Sequence, residues 1–195
     1  MRREGAEGVI VVEEVADRGF EYLSGEDMQT CGTIHSAIRR NEWLSWRNIV
    51  RREVGRCTLN YTPQGAPLIV DPEGKVAFLS VSHTRRSVAV FLSKTPCGID
   101  IESAERNFDR VAKRYIAPEE ELLAAALGDD FKAIVWCAKE ALFKWGGRSG
   151  VDFLHDVRLT EAPTKGQIEA LYFGQPTPLL HYETIGREIL CYING

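Results

Sequence analysis

Residues 131–145, with the sequence FKAIVWCAKEALFKW, constrain the fold of this chain more than any other segment. At the angular spacing of an α-helix, seven apolar side chains share one broad face, which predicts that this face packs on a core. They are Phe131, Ile134, Val135, Ala138, Ala141, Leu142 and Trp145. Glu140 points away from that face, but Trp136 and Phe143 lie beside it, so we expect the helix to be covered on both sides. Glu140 and Lys144, one turn apart, would then face a cleft, with Lys139 at its edge.

The order of the other helices and strands predicts an α+β fold. A helix is predicted over residues 32–54, where Gly55 suits a C-cap, and two or three more over 107–115, 118–127 and 129–146. Strands are predicted over residues 8–15, 57–61, 67–70, 76–82, 87–92, 97–102, 151–160, 167–173 and 187–193. This order suggests two similar halves joined near residue 95, so we expect domains at residues 1–94 and 95–195.

Composition is that of an ordinary globular protein and excludes several classes of function. The 195 residues are 44% hydrophobic and 27% charged, with a formal net charge of −4, so no global charge favours nucleic acid. The five cysteines are dispersed and lack a CxxC pair, which disfavours a disulfide framework or a zinc site and favours a reducing compartment. No signal peptide or membrane-spanning segment is recognisable, so we expect a cytoplasmic protein without a membrane partner.

Residues 98–102, with the sequence GIDIE, place two carboxylates side by side. In a strand, Ile99 and Ile101 share one face, and Asp100 and Glu102 share the other. Solvent or a bound cation commonly relieves the repulsion between such carboxylates, and both are hard oxygen ligands that suit Mg²⁺. An edge strand with an ordinary solvent-exposed face would have the same pattern.

Two further groups of polar residues could belong to the same site. Glu140 and Lys144 lie one helical turn apart, although a functionally silent ion pair has this spacing too. A strand ends at residues 80–84, SVSHT, and is followed by Arg85 and Arg86, which makes a phosphate site plausible. A lone histidine such as His83 is nevertheless often structural.

Together, these carboxylates and cations indicate a site for a metal-bridged polyphosphate. The chain contains no GxxxxGK[ST] segment and no GxGxxG segment. The common nucleotide-binding loops are therefore disfavoured.

Residues 98–102 and 136–144 (WCAKEALFK) resemble the paired signature of the 4′-phosphopantetheinyl transferases. That signature reads approximately (V/I)G(V/I)D followed by (F/W)(S/C/T)xKE(A/S)xxK. The second half matches at every position, and the first matches from Gly98 onward, with Cys97 in place of the leading Val or Ile. Both halves in this order and at this spacing are highly specific.

Other segments extend the resemblance over about residues 38–150. Ser82-His83 precedes the first half as in the family's Ser-His motif, residues 110–120 resemble the stretch between the halves, and residues 39–47 resemble its basic N-terminal helix. The length of the chain resembles the surfactin-synthetase-associated type. That type implies two pseudo-symmetric α/β halves in one chain, an active site in the cleft between them, and a monomer.

The resemblance implies transfer of the 4′-phosphopantetheine arm of coenzyme A to a serine of an apo acyl carrier or peptidyl carrier protein, with release of 3′,5′-ADP. Asp100, Glu102 and Glu140 would hold Mg²⁺ against the pyrophosphate, with Glu140 as the candidate base. Lys144 would stabilise charge on the phosphates and the leaving group. Contacts with coenzyme A are implied for Arg40, Arg47, Ser82, His83, Lys139 and Lys144. Candidate docking surfaces for the carrier are the basic helix and the apolar residues near Leu122, Leu123 and Leu127.

One departure from the family pattern leaves alternatives open. The family commonly has Gly-Lys-Pro before the Ser-His strand, whereas this chain has Gly65-Ala66-Pro67. The lost lysine would weaken coenzyme A binding unless Lys75 or an arginine replaces it. A degenerate homologue that binds coenzyme A or a carrier protein without turnover is therefore one alternative. A Mg²⁺-dependent phosphotransferase acting on a small molecule is another.

Overall fold

The computed structural model describes residues 1–17 and 19–195, which separate into two compact units, Met1–Thr95 and Pro96–Gly195. The boundary lies one residue after the position expected from the sequence. Helices and strands occur in both units, so the predicted mixture of α and β structure is confirmed. Within the described residues, no helix is both long enough and apolar enough to cross a membrane.

The first unit, as far as residues 1–17 and 19–95 describe it, is a six-stranded antiparallel sheet with two helices. The strands are β1 (Arg2–Glu4), β2 (Gly8–Glu14), β3 (Thr58–Tyr61), β4 (Pro67–Val70), β5 (Val76–His83) and β6 (Ser87–Ser93). They lie in the order β1-β2-β6-β5-β4-β3. The helices are α1 (Gly25–Gly32) and α2 (Ala37–Val54). Trp46, Ile49 and Val50 of α2 join the core formed with this sheet.

Capping residues explain where the helices of the first unit begin and end. The helix predicted from residue 32 starts only at Ala37, because the Ser36 hydroxyl caps it by accepting from the backbone N–H of Arg39. It ends as predicted at Gly55, which has a φ of 76° and donates its N–H to the Arg51 carbonyl. Helix α1 was not predicted, although the Ser24 hydroxyl caps it through the N–H of Asp27.

The second unit, residues 96–195, contains six strands and two α-helices. The strands are β7 (Cys97–Ser103), β8 (Val157–Glu161), β9 (Gln167–Tyr172), β10 (Gln175–Pro176), β11 (Leu180–Ile185) and β12 (Glu188–Asn194). Five of them lie in the order β10-β9-β11-β12-β7, and β8 pairs with β9. The helices are α3 (Ala124–Leu127) and α4 (Phe131–Gly146), with 3₁₀ turns at Ala112–Arg114, Pro118–Leu123 and Gly128–Asp130.

The stretch between β7 and α4 is less helical than predicted. Only one 3₁₀ turn forms within residues 107–115, and residues 118–127 form a 3₁₀ segment followed by the short α3. Ala117 is extended, as residues before proline usually are, so the helix cannot continue through it. The strand predicted over 151–160 begins only at Val157, because backbone N–H groups of His155 and Asp156 fold back on the Asp152 carbonyl. Strand β11 was not predicted.

Candidate active site

Helix α4 lies against strand β7 at the distance of backbone contact, and Gly98 makes this approach possible. A Cβ atom at position 98 would lie 1.9 Å from the Ala141 carbonyl oxygen and 2.8 Å from the Trp145 nitrogen. No side chain fits in that space, which gives a physical reason for glycine at this position of the GIDIE segment. The side chains that α4 and β7 direct toward each other are therefore held close together.

Two contacts align the polar side chains of α4 with those of β7. The Trp136 indole donates from Nε1 to Glu102 Oε1 at 3.1 Å, and Lys144 Nζ donates to Asp100 Oδ1 at 2.7 Å. Glu140 lies about one helical turn from both Trp136 and Lys144, on the same side of α4. The structure thus brings Asp100, Glu102, Glu140 and Lys144 together within the second unit. Lys144 pairs with Asp100, and within the described residues it forms no ion pair with Glu140.

Burial and the neighbouring carboxylates affect the pKa values of Glu140 and Glu102. Burial is the main cause that raises the pKa of Glu140, and the charges of Asp100 and Glu102 raise it further, with Lys144 partly opposing them. Burial also raises the pKa of Glu102, and Asp100 adds to that shift. Glu140 is partly exposed, and among the described residues no group donates a hydrogen bond to its carboxylate. A proton or a cation would therefore stabilise this carboxylate.

Arg106 and Trp136 complete the surroundings of Glu102, and the sequence did not reveal either role. Arg106 Nη1 donates to Glu102 Oε1 at 2.5 Å, and its guanidinium lies 5.1 Å from the ring centres of both Phe108 and Trp136. Two sequence features pointed toward these roles. Trp136 is the aromatic residue at the start of the WCAKEALFK segment, and Arg106 lies four residues after Glu102. Neither signal identifies a hydrogen-bond donor by itself.

The donor chemistry of this site suits a hard divalent cation. Asp100, Glu102 and Glu140 supply carboxylate oxygens on facing sides of β7 and α4, and burial, with the charges of Asp100 and Glu102 added to it, raises the pKa of Glu140. Within residues 1–17 and 19–195, no three His, Cys, Asp or Glu side chains are already arranged as a metal site. Magnesium at phosphate sites usually takes one or two carboxylates and completes its shell with phosphate and water oxygens. These residues therefore fit such an ion as a partial donor set.

Lys139, which was predicted to contact coenzyme A, lies in the interior of the second unit. Its side chain has 0% exposure, and Nζ donates to Glu120 Oε2 at 2.8 Å and to the Phe153 carbonyl at 2.7 Å. Burial lowers the pKa of Lys139, and the adjacent Glu120 carboxylate opposes that shift. In this arrangement the ammonium group is held by the protein and does not reach the surface.

Arg47, which was predicted to contact the nucleotide, has partners within its own unit. Its guanidinium donates to Asp27 Oδ1 at 3.0 Å and to the Tyr61 hydroxyl at 2.9 Å, and lies 4.0 Å from the Trp43 ring centre. Arg40 is half-buried and donates two N–H groups to the Ile34 carbonyl, at 3.1 and 3.0 Å.

Arg47→Met is expected to destabilise the first unit. We expect the free energy of unfolding to fall by about 2 kcal/mol, because the variant leaves the buried Asp27 with Arg51 as its remaining arginine partner. The exposed Arg39 on the same helix provides the control, since Arg39→Met should change stability by less than about 0.5 kcal/mol. Chemical denaturation of both variants measures the difference. A stable Arg47→Met protein with a raised KM for coenzyme A would instead support the predicted nucleotide contact.

His83 and Ser82 lie at the end of β5. The His83 side chain is 45% exposed, and its Nδ1 lies 3.4 Å from Glu42 Oε1 on α2. Ser82 is buried. His83 is thus accessible to a ligand, as a phosphate contact requires, although Glu42 places a carboxylate beside it.

The turn that contains Ala66 joins β3 to β4. Thr62 holds it at both ends, because its N–H donates to the Ala66 carbonyl at 2.8 Å and its hydroxyl accepts from the Ala66 N–H at 3.1 Å. Gly65 has a φ of 87°, so glycine suits this position. Lys75, a proposed replacement for the missing lysine, pairs with Glu73 at 2.6 Å on the surface.

The apolar residues suggested for carrier docking differ in exposure. Leu122 is 83% exposed, whereas Leu123 and Leu127 are each only 7% exposed and belong to the core of the second unit. Only Leu122 of the three can contribute to a surface. The other two follow the commoner pattern in which leucines at helical spacing are core residues.

The raised pKa of Glu140 predicts that its ionised carboxylate destabilises the metal-free protein. A carboxyl group with a higher pKa in the folded than in the unfolded chain lowers stability above the folded pKa, and this loss disappears below the unfolded pKa of about 4.3. Glu140→Gln should therefore raise Tm by a few degrees at neutral pH in EDTA, and the gain should shrink as the pH falls toward about 4. Thermal unfolding across this range measures the effect, and a gain independent of pH would contradict it.

Two comparisons with known proteins concern the region of the chain that contains this site. Residues 96–190 match the family model described as the 4′-phosphopantetheinyl transferase superfamily, and this region covers most of the second unit. The chain is also 27% identical over 155 residues to a protein of Synechocystis sp. named "Putative 4'-phosphopantetheinyl transferase". That alignment covers 74% of this chain and 59% of the cyanobacterial protein. The second unit is thus similar to this superfamily across the segments that carry both GIDIE and WCAKEALFK.

Proposed function

We propose that this chain is a 4′-phosphopantetheinyl transferase that modifies a serine of an apo acyl carrier or peptidyl carrier protein. The observation that carries the proposal is the position of Glu140 between the contacts that Trp136 and Lys144 make with Glu102 and Asp100. These residues lie in the region that matches the superfamily. The presence of two units in one chain supports the surfactin-synthetase-associated type, and we expect a monomer in the cytoplasm.

In the proposed reaction, the carrier serine oxygen attacks the β-phosphorus of coenzyme A. A new bond joins the serine oxygen to that phosphorus, and the bond from the β-phosphorus to the bridging pyrophosphate oxygen breaks. The bridging oxygen leaves with 3′,5′-ADP, and the serine proton passes to a base. Glu140 is the proposed base, because it is partly exposed and no described residue donates a hydrogen bond to its carboxylate.

Asp100, Glu102 and Glu140 are the proposed residues that hold Mg²⁺. A bound magnesium ion would neutralise charge on the pyrophosphate oxygens. Arg106 and Trp136 orient Glu102 through their hydrogen bonds, and Lys144 orients Asp100. The partly exposed Lys144 ammonium also provides positive charge beside the carboxylates, where it can offset charge on the leaving group.

In the first unit, His83, Ser82 and Arg40 are the proposed contacts for coenzyme A. The exposure of His83 and the half-exposure of Arg40 support this assignment, whereas Arg47 is held by Asp27. A phosphate at His83 would have to compete with Glu42 for the imidazole. Protonated imidazole and guanidinium groups are suitable partners for phosphate.

A test of this function is release of 3′,5′-ADP from coenzyme A, followed by chromatography, in the presence and absence of an apo carrier protein. The proposal predicts release only with the carrier and only until its serine is fully modified. Replacement of that serine by alanine should abolish release. Release of phosphate or nucleotide without a carrier would instead favour a phosphotransferase or hydrolase acting on a small molecule.

A second candidate is a degenerate homologue that binds coenzyme A or a carrier protein without turnover. Ala66 favours it, because the family's lysine is missing at this turn and the surface Lys75 pairs with Glu73. Coenzyme A binding by calorimetry without any nucleotide release would support this candidate. The grouping of Asp100, Glu140 and Lys144 in the second unit favours the active transferase.

A further inference from the structure

Lys139 and Glu120 form an ion pair in which both side chains are almost completely buried. Their side-chain exposures are 0% and 1%, and Nζ lies 2.8 Å from Glu120 Oε2. Glu120 also accepts backbone N–H groups of Ala117, at Oε2, and of Leu159, at Oε1, each at 2.8 Å. Lys139 donates in addition to the Phe153 carbonyl at 2.7 Å. One pair of charges therefore connects α4 to three other segments of the second unit.

The ion pair lies next to Glu140 on α4, so it can affect the position of the Glu140 side chain. Lys139 immediately precedes Glu140, so the two side chains leave the helix about 100° apart. Gly98 fixes how closely α4 approaches β7, and the hydrogen bonds of Trp136 and Lys144 link the helix to β7 on the side that carries Glu140. The apolar core beneath α4 is close-packed but contributes no directional bonds, so the Lys139 pair adds directional contacts at a second position on the helix. Hydrogen bonds of a charged pair are directional and short.

We propose that Lys139 is a positioning residue, whose buried contacts with Glu120 and the Phe153 carbonyl set the rotation of α4 and so present Glu140 to Asp100 and Glu102. This inference rests on the proposed function for the role of Glu140, and on the structure alone for the position of α4. It assigns Lys139 no contact with coenzyme A. An ammonium group has three donors, two of which are used here, and the side chain has no exposed surface.

The kinetic test compares Lys139→Met, Glu120→Gln and the double variant with the unchanged protein. Loss of the pair should lower kcat by about 100-fold, because a small misplacement of a catalytic group has effects of this size. The KM for coenzyme A should stay within about twofold. The double variant should be no worse than Lys139→Met, because both changes remove the same interaction. A tenfold or larger rise in KM for Lys139→Met, with kcat unchanged, would overturn the proposal in favour of a substrate contact.

A second measurement needs no enzymatic activity and uses the Trp136 indole as a reporter. Its N–H donates to Glu102 Oε1 at 3.1 Å, so a rotation of α4 that moves Trp136 away from β7 would break this bond. We expect the indole N–H signal of Trp136 in a ¹⁵N–¹H spectrum, assigned with Trp136→Phe, to move in both single variants. The control is Lys132→Met, which removes an exposed lysine from the same helix and should leave the signal in place.

The two measurements separate failure of this inference from failure of the proposed function. An unchanged Trp136 signal in folded Lys139→Met and Glu120→Gln proteins would overturn the positioning role, whatever the activity. A shifted signal in a protein that transfers no phosphopantetheine would support the positioning role and contradict the transferase. If Lys139→Met does not fold, Glu120→Gln decides the question, because glutamine keeps an oxygen that can accept a backbone N–H.

Discussion

Glu140→Gln is expected to lower kcat for carrier modification by about 10³-fold, because the amide can neither accept the serine proton nor provide a charged ligand. Its shape is nearly the same, and the change removes repulsion from Asp100 and Glu102, so the fold should be retained. The same substitution that raises thermal stability in EDTA should therefore abolish most of the activity. Steady-state kinetics with an apo carrier protein and coenzyme A provide the measurement.

The matched control is Glu169→Gln. Glu169 lies on β9 in the same unit, is exposed, and has no part in the proposed site. Its activity should equal that of the unchanged protein, and both proteins should have native circular dichroism spectra. Near-normal transfer by Glu140→Gln would remove Glu140 from the mechanism and leave the metal and base to other residues.

Gly98→Ala is expected to have the second largest effect, although it adds only one methyl group. The new Cβ would overlap the Ala141 carbonyl oxygen, so α4 would have to move away from β7. We expect the free energy of unfolding to fall by about 3 kcal/mol. We also expect kcat to fall by about 100-fold, because Glu140 and Lys144 would move with the helix.

Chemical denaturation and transfer kinetics measure these two effects, and Gly5→Ala is the control. A Cβ at Gly5 meets no atom within 4 Å, so this variant should differ from the unchanged protein by less than about 0.5 kcal/mol. Normal stability and activity of Gly98→Ala would show that the close approach of α4 to β7 is not required.

The sequence predicted the parts of the site that depend on local periodicity. Alternation along a strand places Asp100 and Glu102 on one face, and helical spacing places Glu140 and Lys144 on one side of α4. The apolar face of the helix at residues 131–145 was predicted for the same reason, and six of its seven apolar residues are buried in the core of the second unit. These features follow from the backbone conformation of single elements.

The sequence did not predict which charged residues are held inside the protein. Lys139 and Arg47 were both predicted to contact coenzyme A, because a cation near a candidate phosphate site has the same sequence pattern whether its charge is free or paired. Their partners are 19 and 20 residues away, in segments whose positions depend on tertiary packing. The burial of the two acidic partners was not predicted from local sequence either. Glu120 lies in a 3₁₀ segment, and Asp27 lies in a helix that was not predicted.

The most direct test of the transferase is intact-protein mass spectrometry of an apo carrier protein incubated with this enzyme, coenzyme A and Mg²⁺. We expect the carrier to gain the mass of one phosphopantetheine group, and we expect EDTA or Glu140→Gln to prevent the gain. Acyl carrier and peptidyl carrier proteins should both be tried, because each presents a serine that the proposed reaction could modify. No gain on any carrier, with coenzyme A binding still measurable, would contradict the transferase and favour a protein that binds coenzyme A without turnover.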